Sequence, residues 1–199
     1  LAYAFLHTPL YQHGRYLMPL IPCNAILGVV GLLEARKIIT TRAPRIANRP
    51  GVLGTLCVVM VIGTAWRLPI MAEQYARNVE EINRMHIALG HWLVGHTPPD
   101  ALVALNDIGA IAYISGRPVV DLAGLVTPEV VPLLRGPDRD ARLADFLAER
   151  DVQYVVIFPN WFPGLAANPA LEPVYQVTLD RRTIAGGETT VVYRAHWRR

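Results

Sequence analysis

Cysteine is almost missing from this chain, with only Cys23 and Cys57 in 199 residues. That number and spacing exclude a disulfide framework and a CxxC metal site. Lysine is scarcer, with Lys37 alone against eighteen arginines, which points to a GC-rich genome and to no mechanism. GxGxxG, the P-loop lysine motif, GxSxG and HExxH are all absent. Nucleotide binding, an esterase-type serine and a zinc-protease site therefore have no motif behind them.

Acid is nearly missing from the first third. Residues 1–70 hold seven Arg or Lys and one acid, Glu34, for a net of +6, whereas residues 71–199 hold twelve Arg and fifteen acids, for a net of −3. The basic excess is therefore local. It reads as membrane topology and contact with anionic headgroups, not as nucleic-acid binding, because no basic stripe with interleaved aromatics follows.

Charge is also missing from two long runs that flank the basic stretch Arg36–Arg49. Tyr16–Leu33 is eighteen residues without a charge, and Gly51–Trp66 is sixteen. Crossing a bilayer takes about 17–25 apolar residues. The first run qualifies; the second does so once Arg67 snorkels and Leu68–Ala72 is added. Short loops rich in Arg and Lys stay cytoplasmic. The expectation is a membrane hairpin over residues 1–72, with spans at about 16–33 and 51–72 and a cytoplasmic loop at 34–50. A soluble helical hairpin with a basic turn is the alternative, disfavoured because a soluble helix seldom lacks polar residues all round. Pro19 and Pro22 fall early in the first span, and Pro22 predicts a kink. Leu1–Tyr11 looks like the end of an earlier apolar segment, so the chain is expected to be the C-terminal piece of a longer polytopic protein.

Residues 73–96 keep a helical period, with Tyr75, Val79, Ile82, Met85 or His86, Leu89 and Trp92 on one face and Glu73, Arg77, Glu80, Glu81 and Arg84 on the other, which predicts an amphipathic connecting helix. His86, His91 and His96 are five apart. On an α-helix neighbours so spaced diverge by about 140°, which argues against a shared metal. Thr97-Pro98-Pro99-Asp100 breaks the pattern. Residues 97–199 then read as a small α/β domain with a mainly parallel sheet and an antiparallel edge. Strands are predicted at Ala101–Leu105, Val119–Leu122, Val152–Phe158, Val174–Leu179 and Thr189–Ala195. Helices are predicted at Ala110–Ser115, after Thr127, and at Ala141–Arg150 with Asp138 or Asp140 as cap. Pro159–Pro169 reads as an irregular loop.

Two groups of residues invite a functional reading. His13, Arg15 and Tyr16 meet the first span at its outer end, either as an aromatic and cationic belt or as a phosphate clamp with Arg15 as its fixed cation. Asp107 and Asp121 sit at predicted strand ends, where ligands of α/β sheets gather. They are either ligand-facing, toward a metal or a sugar hydroxyl, or caps of the next helix and turn. Trp161-Phe162 is either an exposed stacking or membrane-dipping edge or a loop anchor.

HGRYLMPLIP (His13–Pro22) and NDIGAIAYISGRPVVDLAGLVTPEV (Asn106–Val130) resemble the late spans and the outward domain of bacterial membrane glycosyltransferases of the C-type fold, the group of the family 39-like and aminoarabinose-transferase-like proteins. The resemblance covers most of residues 13–160. It implies transfer of a sugar from a polyprenyl-phosphate donor on the outer face of the plasma membrane. It also implies a catalytic acid in a first outward loop that these residues do not contain, so no catalytic residue is assigned. His13, Arg15 and Tyr16 then lie where the lipid-linked phosphate would be met. The expected partners are membrane lipid, the lipid-linked donor and further spans of the same protein. No cofactor is expected in these residues, and a divalent metal stays open for the whole protein. The alternative is a non-enzymatic, membrane-anchored binding or assembly module.

Overall fold

The structure is a computed structural model that describes residues 18–42 and 52–197. The chain divides into two compact units, Leu1–Ala72 and Glu73–Arg199.

In the first unit, a 3₁₀ turn at Met18 leads into helix α1, Ile21–Arg42. Met18–Arg42 is 25 residues, long and apolar enough to cross a membrane, and none of its apolar window is buried in protein. The predicted span was too short at its C-terminal end. Glu34–Arg42, expected as loop, is helical and carries Lys37 on Glu34 at 2.6 Å. The Thr40 and Thr41 hydroxyls return to the Lys37 carbonyl at 2.8 and 3.0 Å, and no breaker occurs before Pro44. Pro22 is the second residue of α1, where a missing N–H costs nothing.

The second apolar run is interrupted. Helix α2 spans Val52–Ala65, 14 residues, and α3 begins at Leu68 after a turn at Trp66-Arg67. Arg67 N–H tightens to the Thr64 carbonyl at 3.1 Å, and Pro69 follows in the first turn of α3. A proline suits a helix start and opposes continuation from the preceding turn. Fourteen residues rise about 21 Å, short of a bilayer core of about 30 Å. Among the described residues, 52–72 do not form a single uninterrupted helix, and a second span is not shown.

The second unit is an α/β domain reached through α3, Leu68–Ile82, a π-turn at Asn83–Ile87 and α4, Ala88–His96. Strands β1 (Val103–Leu105), β2 (Val119–Asp121), β3 (Tyr154–Ile157), β4 (Leu171–Thr178) and β5 (Thr189–Ala195) form one sheet of order β2-β1-β3-β5-β4. β1 pairs in parallel with β2 and β3, whereas β5 pairs antiparallel with β3 and β4. The sheet is mixed: β1, β2, β3 and β4 run one way, and β5, joined to β4 by a hairpin, runs the other way between β3 and β4, so the antiparallel strand lies inside the sheet and not at its edge. β4 starts earlier than predicted and carries Pro173 beside a bulge, tolerable because β4 is an edge.

Alternation along the strands divides the core. Val103, Leu105, Tyr154, Val156 and Val192 pack with Met85, Leu89 and Leu93 on one face, together with Ile111 of α5 (Gly109–Ser115). Ala104, Val155, Ile157 and Val191 pack on the other with Leu143 and Leu147 of α6 (Arg139–Glu149). The chain moves one way from β1 to β2 and back past β1 to β3. Right-handed crossovers in opposite directions place α5 and α6 on opposite faces. Gly90 permits the close approach of α4 to α5, since a Cβ there would lie 2.8 Å from the Ile114 Cβ. Asp138 precedes α6 without a side-chain cap, and a short helix, α7 (Pro163–Ala166), forms inside the expected loop.

Candidate functional site at the carboxyl edge of the parallel strands

Crossovers that leave β1 and β3 toward opposite sides create a switch point at their carboxyl ends, the usual crevice for ligands in such sheets. Here those ends carry Asn106-Asp107 and Phe158–Trp161. Asn106 bridges them: its N–H reaches the Val156 carbonyl at 3.4 Å, and its Oδ1 accepts the Phe158 N–H at 3.1 Å. Its Nδ2 is buried without a hydrogen-bond partner among the described residues.

Asp107 Oδ2 lies 3.0 Å from His86 Nε2. The His86 side chain is 3% exposed and the Asp107 side chain 47%. A carboxylate only accepts, so Nε2 is the donor in this contact. Nδ1 is buried and has no hydrogen-bond partner among the described residues. The π-turn explains how His86 gets there. Its i→i+5 bonding brings residues five apart onto one face, so Glu81 and His86 both point into the domain. π-turns inside helices recur at functional sites.

Glu81 is buried and ties the β4–β5 loop to this helix. Its Oε2 accepts from the Thr183 N–H at 2.5 Å and the Thr183 hydroxyl at 2.8 Å; its Oε1 accepts from Ile184 N–H at 2.9 Å and from Ala185 N–H. Burial pushes the Glu81 carboxyl up. The bonds from Ala185, Thr183 and Ile184 together outweigh burial and hold it below its ordinary value. Beyond the anchor, Gly187 lies against Phe158: a Cβ there would sit 2.6 Å from the Phe158 Cδ1.

The loop after β2 is built on Asp121, which is fully buried. Its Oδ1 accepts from Ala123 N–H at 2.8 Å, and its Oδ2 from Leu125 and Val126 N–H at 2.5 and 3.0 Å. Its own N–H donates to the Thr127 hydroxyl at 2.9 Å, so Thr127 closes this loop and does not cap the helix that follows. Asp121 is therefore not ligand-facing; it is the turn cap that the sequence offered as its alternative. The loop turns Leu125 and Val126 outward, 79% and 60% exposed. The loop after β3 is fixed in the same manner. Arg139 donates to the Trp161 carbonyl at 2.5 Å, and Asp140 accepts from Gly164 and Leu165 N–H at 2.7 and 3.2 Å. Trp161 packs its ring on Phe158 at 5.3 Å and stays 41% exposed.

Of the residues singled out by sequence, Asp107 lies at this edge and Asp121 supports it. His13, Arg15 and Tyr16 lie outside the described residues. His86, Glu81 and Asn106 carry the local chemistry: the sequence weighed His86 only as a core residue or a metal ligand, gave Asn106 no role, and put Glu81 on the polar face of the helix, whereas it is buried against the β4–β5 loop. The available signal was the five-residue spacing of Glu81 and His86, which an α-helical wheel separates and a π-turn joins. No group of three His, Cys, Asp or Glu that would hold a metal occurs among the described residues.

Residues 71–198 match a family described as Domain of unknown function (DUF8728). The chain belongs to the DUF8728 family. No curated protein and no solved structure matches it. The DUF8728 match takes in the π-turn, all five strands and the edge formed by Asn106, Asp107 and Trp161.

Proposed function

We propose that this chain is the C-terminal part of a membrane glycosyltransferase that moves a sugar from a polyprenyl-phosphate donor on the outer face of the plasma membrane. The DUF8728 domain is then its extracytoplasmic module. The observation that carries this reading is the apolar, unburied helix Met18–Arg42, which begins within the His13–Pro22 stretch that resembles the late spans of C-type-fold enzymes. The stretch Asn106–Val130, which resembles their outward domain, supports it. In this reading a second crossing is made by α2 with the start of α3, broken at Trp66-Arg67. His13, Arg15 and Tyr16 meet the donor phosphate, the catalytic acid is supplied by earlier spans, and membrane lipid surrounds the hairpin. A membrane-anchored, non-enzymatic binding module is the second reading. It is favoured by residues 73–199 forming a compact unit of their own.

The test is the intact mass of the native protein, extracted from its own membranes and detected through residues 73–199. The glycosyltransferase reading expects two to three times the 22.0 kDa of this chain. A mass near 22.0 kDa sinks it in favour of the anchored module.

A further inference from the structure

We propose that the tip of the β4–β5 loop, with Arg181 and Arg182 at its apex and Trp161 and Tyr75 beside them, docks on the phosphate headgroups of the bilayer from which the chain enters this domain. The proposal rests on the apolar first unit lying in a membrane, as both readings above have it, and not on the transfer of a sugar.

The loop is placed by α3 and the π-turn. Asp180, at its β4 end, pairs with Arg84 at 3.0 Å, whereas the Thr183 hydroxyl donates to Asn78 Oδ1 at 2.8 Å. Six residues of helix separate the two contacts, a rise of about 9 Å. The loop therefore runs back along the helix toward Glu73, where the chain enters this unit from its apolar run. Arg181 and Arg182 are exposed and lie between the two contacts in sequence. Glu81 holds the amides of the next three residues, and Arg182 donates to the Gly186 carbonyl at 3.1 Å, so the apex is set before anything binds. Tyr75 is exposed and, three residues before Asn78, neighbours it on the surface of α3. Trp161 lies against the same loop: a Cβ on Gly186 would sit 2.7 Å from its Cζ2, and the ring stays partly exposed.

Charge decides what this surface meets. Arg77 is paired with Glu73 and Arg84 with Asp180, and Glu81 is taken up by its amides. Glu80 leaves α3 about 100° round from Glu81. Glu188 stands at the base of the loop, where its carbonyl accepts the Leu179 N–H. The apex itself presents two arginines. A guanidinium offers phosphate a planar fork, and tyrosine and tryptophan favour the headgroup level of a bilayer. An acidic soluble protein would also suit two arginines. The membrane is favoured because the chain is its tether. Less than two helical turns separate Asn78 from Ala72, the end of the apolar run, so the loop sees headgroups at an effective concentration that a free partner does not reach.

The test uses the full chain, labelled with fluorotryptophan, in nanodiscs of phosphatidylcholine and phosphatidylglycerol that contain a phosphatidylcholine with a nitroxide on its headgroup. Each tryptophan resonance is assigned by substitution with phenylalanine. Trp66 and Trp161 are expected to broaden. Trp197 stays narrow, because the seven residues of β5 separate it from the loop by about 23 Å. Arg181→Gln combined with Arg182→Gln is expected to lower the docked-to-free ratio about 25-fold, roughly fivefold for each arginine, and to narrow Trp161 while Trp66 stays broad. Arg194→Gln, the same loss of charge at the far end of β5, leaves Trp161 as in the parent. The proposal is overturned if Trp161 is no broader than Trp197, or if the double variant matches the parent. With Trp66 still broad, the membrane reading survives either result. Narrow lines at Trp66 and Trp161 together overturn the membrane reading and the docking with it.

Discussion

Glu81 shows how one buried acid replaces a stretch of regular structure. Three successive backbone amides of the β4–β5 loop have no strand partner and end on its two oxygens. Bonds to a charged acceptor contribute more than neutral ones, and an amide left unpaired in the interior costs about 1–3 kcal/mol. Glu81→Gln keeps the size and removes the charge. It is expected to lower the local opening free energy by about 2 kcal/mol, so that Thr183–Ala185 amides exchange about 30-fold faster relative to β3. Unchanged protection in that variant would mean the loop is held by its packing on Phe158 alone. The pH dependence has a definite sign. The folded carboxyl is held below its ordinary value, so its contribution is complete above the usual glutamate range and is lost as pH falls through the folded value. Protection factors for these amides should therefore be flat at neutral pH and fall on acidification.

At the scale of elements, the π-turn decides which residues of one long helical segment face the domain. Asn83–Ile87 holds one residue more than an α-helical turn would, and this surplus is what aligns His86 with Glu81. Removing the exposed Asn83 would leave the Glu81 carboxylate and the His86 ring four apart on a regular helix, still on one face. Deletion of Asn83 is therefore expected to preserve both the Glu81 anchor and the His86–Asp107 contact. Deletion of Val94 from the regular helix α4 should not be tolerated, because it rotates Thr97 away from the Arg117 guanidinium that bonds it at 3.1 Å. Circular dichroism melts of the two deletions compare them directly. Equal destabilisation would show that the π-turn is not a surplus residue but an intrinsic need of the packing.

For the whole molecule, the proposed function carries a topology prediction. In a chain with Cys23 and Cys57 replaced by alanine, cysteine at Asp138 is expected to react with an impermeant thiol reagent from outside, and cysteine at Thr41 is not. The opposite pattern would remove the orientation and the extracytoplasmic domain together. Thr41 is an informative position because it lies at the helical end of α1 and its hydroxyl bonds the Lys37 and Ile38 carbonyls. A label there reports the basic end of α1, the helix long and apolar enough to cross a membrane.

Much of the architecture was legible in the chain because it depends on local pattern. A charge-free run needs no partner to declare a helix suited to lipid. Strands such as β1 and β3 announce themselves by apolar and β-branched runs, and the breaker at Thr97–Asp100 separates them from the helices before. Where the helices begin and end was less legible: Glu34–Arg42 stays helical through an i,i+3 ion pair, and Pro69 divides the second apolar run. The site depended on contacts remote in sequence. Asp107 and Asp121 look alike as acids after short strands, yet one meets a histidine 21 residues earlier and the other is enclosed by its own turn. Glu81 acquires its role from amides 102 to 104 residues away. Local pattern determined that this chain has an apolar helix and an α/β domain, since periodicity and hydrophobic burial act over a few residues. Tertiary structure alone decided which polar groups find partners, because hydrogen-bond partners are assigned only when distant segments close on one another.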